Sequence, residues 1–200
     1  MARQTANQTV PRNAPPGRRG RNDPVSEPWL ARRFRACYDY FLPSAGTADD
    51  DFMRAALELG REALRRGEVP VGAVVVIDAA VIGQGFNQPI GSSDPTAHAE
   101  IIALRDAARR TGNYRLTGAS LYVTIEPCQM CVGAMVHARI ARVIYGTREP
   151  KAGAIESAMR AHEHASLNHR MEATGGVLEE DCRELIQGFF VEKRIQSGST

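Results

Sequence analysis

Leu121-Tyr122-Val123-Thr124-Ile125-Glu126-Pro127-Cys128-Gln129-Met130-Cys131 decides how this chain folds. Its first five residues are apolar or β-branched and read as a buried strand. Pro127 then suits the first turn of a helix, where its missing N–H is no loss. The spacing therefore predicts a strand over 121–125 and a helix from about Pro127 or Cys128 to about Ala138. Two cysteines sit at the start of that helix. Unpaired backbone N–H groups and the positive helix end favour thiolates there.

Working outward, the same alternation repeats. Thr47 and Asp50 resemble a capping box, with a helix over about 49–66 that Gly67 ends. Phe52, Ala56, Leu59 and Ala63 recur along it at helical spacing. Val71 to Ile77 reads as a buried strand, Asp78-Ala79-Ala80 as a turn, and Val81 to Phe86 as the returning strand. Asp94-Pro95 reads as the start of a second helix that runs to about Arg110 and stops at Gly112. Arg142 to Tyr145 reads as a strand, 154–165 as helix, 170–174 as a short strand, and Glu179 to Arg194 as a final amphipathic helix. Strands alternating with helices predict an α/β layered domain.

The first 48 residues differ in kind. Seven prolines and glycines, from Pro11 to Pro28, interrupt regular structure, and polar residues fill the gaps. This extension is expected to be disordered, with the domain covering 49–196. It holds eight arginines against three acids within residues 1–40, while the remainder holds seventeen basic against twenty acidic residues. The net charge of +2 thus hides a basic arm on a mildly acidic core, and overall charge gives the core no case for nucleic-acid binding. The arm itself reads as an RNA-binding, solubilising or targeting tail. No apolar run approaches a bilayer span, since the longest, Val69 to Ile77, contains Pro70 and Gly72. Four cysteines are too few and too unevenly spread for a disulfide framework. Cys37 and Cys182 are expected as free thiols in the cytoplasm.

Cys128 and Cys131 are half of a split pattern whose other half is His98-Ala99-Glu100. One histidine and two thiolates hold Zn²⁺ and leave a fourth position for water, the usual arrangement of a catalytic site. Such an ion lowers the pKa of its water toward ~7. Glu100, a carboxylate beside the ligands rather than among them, is placed to handle that water's protons as general acid and base. His98 and Glu100 are two apart and in a regular helix would point about 200° from one another. They can serve one site only off a helix end, so two helix N-termini are expected to meet at the zinc. The pattern H-x-E…P-C-x-x-C is the signature of zinc deaminases.

The stretches EVPVGAVVV (68–76), VIGQGFNQPI (81–90), DPTAHAEIIALR (94–105) and NYRLTGASLYVTIEPCQMCVGAM (113–135) resemble the bacterial tRNA-specific adenosine deaminases. So do ARVIYGTREPKAG (141–153), LNHRMEATGGVLEEDCRELI (167–186) and FFVEKR (189–194). The resemblance covers about Asp51 to Arg194. It implies a three-layer α/β/α cytidine deaminase-like fold with a central five-stranded mixed sheet, and a homodimer with one Zn²⁺ per subunit. It implies hydrolytic deamination of adenosine to inosine at the wobble position (34) of tRNA, an arginine tRNA above all, through the anticodon stem-loop.

By the same resemblance His98, Cys128 and Cys131 are the ligands and Glu100 is the proton shuttle. Asn87 and the Ala99 backbone bind the base, with Val69, Pro70 and Pro89 as pocket walls. Arg148, Glu149, Lys151, Phe190, Lys193 and Arg194 face RNA, and Phe189 fits the inward stripe of the last helix. Ala154-Ile155-Glu156-Ser157 departs from the small-residue stretch typical of the family. His162, Glu163 and His164 are expected on a solvated face. Two alternatives stand beside this reading. One is a zinc deaminase of free guanine, cytosine or a nucleotide. The other is a catalytically idle RNA-binding subunit, a class that typically lacks the glutamate retained here at position 100.

Overall fold

The computed structural model describes residues 47–197. Most of the basic extension, with Cys37, lies outside the described residues. Helix α1 (Ala48–Arg65) opens on the expected capping box: Asp50 N donates to Thr47 Oγ1 at 3.2 Å and Thr47 N to Asp50 Oδ2 at 2.7 Å. Strands β1 (Gly72–Ile77) and β2 (Ala80–Phe86) pair antiparallel around Asp78 and Ala79, both at positive φ. A four-residue helix, α2 (Pro89–Ser92), follows, then α3 (Ala99–Thr111), β3 (Ser120–Ile125), α4 (Gln129–Ala138), β4 (Arg142–Thr147), β5 (Glu172–Gly175) and α5 (Glu179–Ser197).

The strands form one mixed sheet in the order β2-β1-β3-β4-β5. β1 is antiparallel to β2 and β3, whereas β3, β4 and β5 run parallel. Side chains alternate across a strand, so β1 serves two cores. Val74 and Val76 join Met53, Ala56 and Leu57 of α1, Ile144 of β4 and Cys182 of α5 on one face. Ala73 and Val75 join Leu121, Val123, Val143, α3 and α4 on the other. Helices therefore cover both faces, and the three-layer α/β/α arrangement is the one expected from the sequence.

Two glycines let α3 lie directly on the backbone of β2. A Cβ on Gly83 would stand 2.4 Å from Ala103 O, and one on Gly85 would stand 2.3 Å from Ala99 O and 2.5 Å from Ala103 N. The buried side of α3 is accordingly made of small residues, Ala99, Ala103 and Ala107, together with Ile101 and Leu104.

Three expectations need correction. Asp94-Pro95 does not open α3; the helix begins at Ala99 with His98 as its N-cap residue. Asp94 Oδ1 instead accepts from Thr96 N at 2.8 Å and Thr96 Oγ1 at 2.7 Å, a local turn that satisfies the carboxylate before any helix forms. Residues 154–165 are not a helix, and only Ala161–Glu163 make a single 3₁₀ turn. The amides of Ile155, Glu156 and Ser157 bond to the Glu126 carboxylate, and the chain beyond them continues as turns. Without that helix His162 faces inward, 8% exposed, rather than lying on a solvated face; His164 is exposed.

Candidate active site

His98 and Cys128 each hold the N-cap position of a helix, both with extended backbone (φ −71°, ψ 153° and φ −77°, ψ 170°). Cys131 lies in the first turn of α4. β3 and β4 are parallel neighbours joined through α4, which carries the Cys128 turn to the carboxyl end of β3. The close packing of α3 on β2 brings His98 to the same place. Cys128 Sγ and Cys131 Sγ lie 3.7 Å apart, and His98 Nδ1 lies 3.7 and 3.6 Å from them. Tetrahedral bonds of ~2.3 Å to sulfur and ~2.0 Å to nitrogen would set edges of about 3.8 Å between sulfurs and about 3.5 Å from sulfur to nitrogen. The three donors thus fit zinc in type and spacing, and among the described residues they form a group able to hold a metal ion. The hydrogen bond with Cys131 pushes the Cys128 thiol down to about 4, so a thiolate is already favoured there.

Glu100 is 3% exposed and one turn position into α3. Burial raises its pKa above the ordinary carboxylate range, opposed mainly by a hydrogen bond to its own backbone and by the charge of His98. A cavity of about 170 Å³ opens in front of these groups. His98, Glu100 and Cys128 form its floor, and Val69, Asn87, Glu149 and Phe190 stand on its walls. Val71, Ile125, Glu126, Ala152 and Ile186 also line it. The sequence singled out none of these five for the site, because an inward-facing side chain reads the same whether it meets the core or a cavity.

Asn87 is 9% exposed, and its Oδ1 accepts from Ala99 N at 2.9 Å. It supplies the α3 cap that the sequence suggested for Asp94. Since an N–H needs an acceptor, the bond also fixes which end of the Asn87 amide remains for a ligand: the Nδ2 donor. Pro70 and Pro89 do not line the cavity. Pro70 is buried and Pro89 occupies the first turn of α2. That short helix is held from below by buried Glu68, whose carboxylate accepts from Ile90 N at 3.2 Å and Gly91 N at 2.7 Å.

On the opposite wall Arg148 and Lys151 are exposed, and Arg148 Nη2 pairs with Glu156 at 2.9 Å. Glu156 also accepts from the Tyr145 hydroxyl, so the residue that departs from the family's small-residue stretch ties strand β4 to this loop. In α5, Phe189 is 8% exposed and Phe190 48%, their rings edge to face at 5.3 Å. Lys193 Nζ lies 5.6 Å from the Phe189 ring, and Arg194 is exposed.

Residues 47–147 match the cytidine and deoxycytidylate deaminase zinc-binding region. A tRNA-specific adenosine deaminase of Haemophilus influenzae is 50% identical over 147 residues, covering 73% of this chain and 85% of that protein. The Agrobacterium fabrum protein of the same name is 44% identical over 144 residues, covering 72% and 95%.

The chain belongs to the tRNA-specific adenosine deaminases.

A solved chain from studies of A-to-I editing by tRNA deaminases at the wobble position of transfer RNA is 44% identical, with a TM-score of 0.66. The match covers 67% of this deaminase and 97% of that chain. The deaminase is therefore a zinc-dependent enzyme. A second, wider groove of about 420 Å³ lies on its outer surface between α3 and α4, lined by Ile101, Leu104, Met130, Ala134 and His137 among others. None of the three zinc-type donors nor Glu100 reaches it. His98, Glu100 and Cys128 border the smaller cavity instead.

Proposed function

We propose that this deaminase converts adenosine to inosine at the wobble position (34) of tRNA, with an arginine tRNA as the expected substrate. The observation that carries the reading is the His98–Cys128–Cys131 triangle with a buried, non-ligating carboxylate beside it, facing a cavity of about 170 Å³. The names of the relatives support tRNA as the substrate. Zinc, when bound by His98, Cys128 and Cys131, lowers the pKa of water and makes it a nucleophile at neutral pH.

The chain's own groups do the rest. Glu100 holds the proton of the attacking water and hands it to the departing amine, which leaves as ammonia. Burial raises its pKa, which makes the carboxylate a stronger base toward the water's proton than an exposed glutamate. Asn87 presents its Nδ2 donor to a ring-nitrogen acceptor of the base, while the Ala99 amide keeps it oriented. Val69 and Ile186 give the base apolar walls, and Phe190 at the rim offers a face on which a splayed base stacks. Arg148, Glu149, Lys151, Lys193 and Arg194 line the approach for the anticodon stem-loop.

The protein acts as a homodimer in the cytoplasm. The open apolar groove between α3 and α4 supports a second copy as its occupant, because Met130, 36% exposed, sits there between the two cysteines.

The test is inosine mapping across total tRNA treated with the purified, zinc-loaded protein. Inosine confined to wobble adenosines is expected. Rapid turnover of free guanine or cytosine with unmodified tRNA would overturn the assignment in favour of a small-molecule deaminase. Zinc-replete protein inert on every substrate would favour an idle RNA-binding subunit.

A further inference from the structure

Glu126 stands two residues before Cys128, is 2% exposed, and has no part in the proton chemistry described above. Its single carboxylate collects five hydrogen bonds. Oε1 accepts from the amides of Ile155 (3.0 Å), Glu156 (2.8 Å) and Ser157 (3.0 Å). Oε2 accepts from Glu149 N (3.1 Å) and from the Ser157 hydroxyl. The donors come from both ends of one loop, so the carboxylate closes the loop upon itself.

The same loop is stitched to the metal turn. Ala154 N donates to Pro127 O at 2.8 Å, and Cys128 and Gly153 form an isolated antiparallel bridge. Gly153 has no room for a side chain: a Cβ there would stand 2.4 Å from Glu126 Oε2 and 2.5 Å from Glu149 O. Loop residues Glu149 and Ala152 form cavity wall, and the Arg148–Glu156 pair sits on the loop's outer side.

We propose that Glu126 is a positioning residue that sets residues 149–157 as a rigid wall against the Cys128 turn, and so decides how the RNA-facing loop meets the substrate. The RNA part of this statement rests on the functional reading above. Glu126 touches no reacting atom; it acts through Glu149, Ala152 and Arg148. A carboxylate suits the task because all five partners are donors, and an ionised acid offers only acceptors. An amide of the same shape would turn an N–H₂ group toward at least one donor.

Glu126→Gln in the full-length, zinc-loaded protein tests this, with Ser157→Ala as a milder variant. Zinc stoichiometry, backbone hydrogen exchange, and kcat and KM on an anticodon stem-loop are measured together. Exchange at residues 149 and 155–157 should rise by about tenfold or more, the scale of losing a hydrogen bond to a charged group. Exchange in β3 should be unchanged and zinc should stay stoichiometric. KM should rise on the same scale with kcat nearly unaltered.

Protected loop amides in Glu126→Gln, or a fall in kcat at constant KM, would overturn the proposal. So would loss of zinc with the loop still protected. If Glu126→Gln does not fold, Ser157→Ala decides: faster exchange at 155–157 with a raised KM supports the role, and unchanged exchange refutes it. Absence of RNA turnover by the unsubstituted protein would sink the functional reading, while the exchange data would still judge Glu126.

Discussion

Replacing Gly85 with alanine should weaken zinc binding, although residue 85 is not among the ligands. The added Cβ would stand 2.3 Å from Ala99 O and 2.5 Å from Ala103 N. Both obstacles are backbone, so no rotamer change relieves them. Ordinary contact needs roughly 3.4 Å, and α3 must withdraw from β2 by about 1 Å at its first turn. His98 is the residue immediately before that turn and must move with it. Metal–ligand distances tolerate about 0.2 Å, so zinc must pull the helix back into the clash.

Overpacking of this kind costs about 1–3 kcal/mol. The metal-free protein escapes the strain by letting α3 retreat, whereas the zinc-bound form keeps it. The strain therefore appears in the binding constant, as a loss of about 5-fold to 150-fold in zinc affinity. Competition titration against a zinc chelator on folded protein measures this. Gly188→Ala is the control, since a Cβ there meets nothing within 4 Å. A folded Gly85→Ala protein with zinc affinity within twofold of the original would refute the reasoning, because α3 would then not hold His98 in place.

Glu100→Gln should keep stoichiometric zinc and the melting profile while lowering kcat by about 10²–10⁴, the usual contribution of a general acid–base group; near-normal turnover would remove it from proton transfer. Asn87→Ala strips the Ala99 N–H of its buried acceptor and should cost about 1–2 kcal/mol of stability by chemical denaturation, beyond its effect on KM. Phe189→Ala should destabilise by about 3–5 kcal/mol with little change in the KM of surviving enzyme, and Phe190→Ala should do the reverse; equal effects would contradict the split between core and rim. Ala79→Gly should stabilise by roughly 1 kcal/mol, because Ala79 holds φ 59° in the β1–β2 turn and glycine adopts that conformation freely.

Where signals are local, sequence and structure agree. The Thr47–Asp50 capping box needs only three residues of one helix, and it forms as expected. The β-branched run before Ile77 and the apolar run before Glu126 became strands with boundaries shifted by one residue. The donor set of His98, Cys128 and Cys131 was legible because thiolate and imidazole at that spacing have few other uses. Asp94 and 154–165 depart from the local rules in different ways: Asp94 closes a turn on Thr96, and the backbone of 155–157 is anchored by a side chain about thirty residues away. Asn87 caps α3 from outside it, and the amides of 155–157 find their acceptor in Glu126, on the far side of the metal turn.

The sequence by itself thus determined the kind of chemistry: which atoms hold zinc, which carboxylate stands beside them, and that two helix starts must meet. Only the tertiary structure decided how the pocket is built around them. Buried Asn87, Glu68 and Glu126 each satisfy amides far along the chain, and glycines at 83, 85 and 153 allow backbones to touch. A buried polar group must find a partner wherever the fold brings one, and sequence distance does not record which partner that will be.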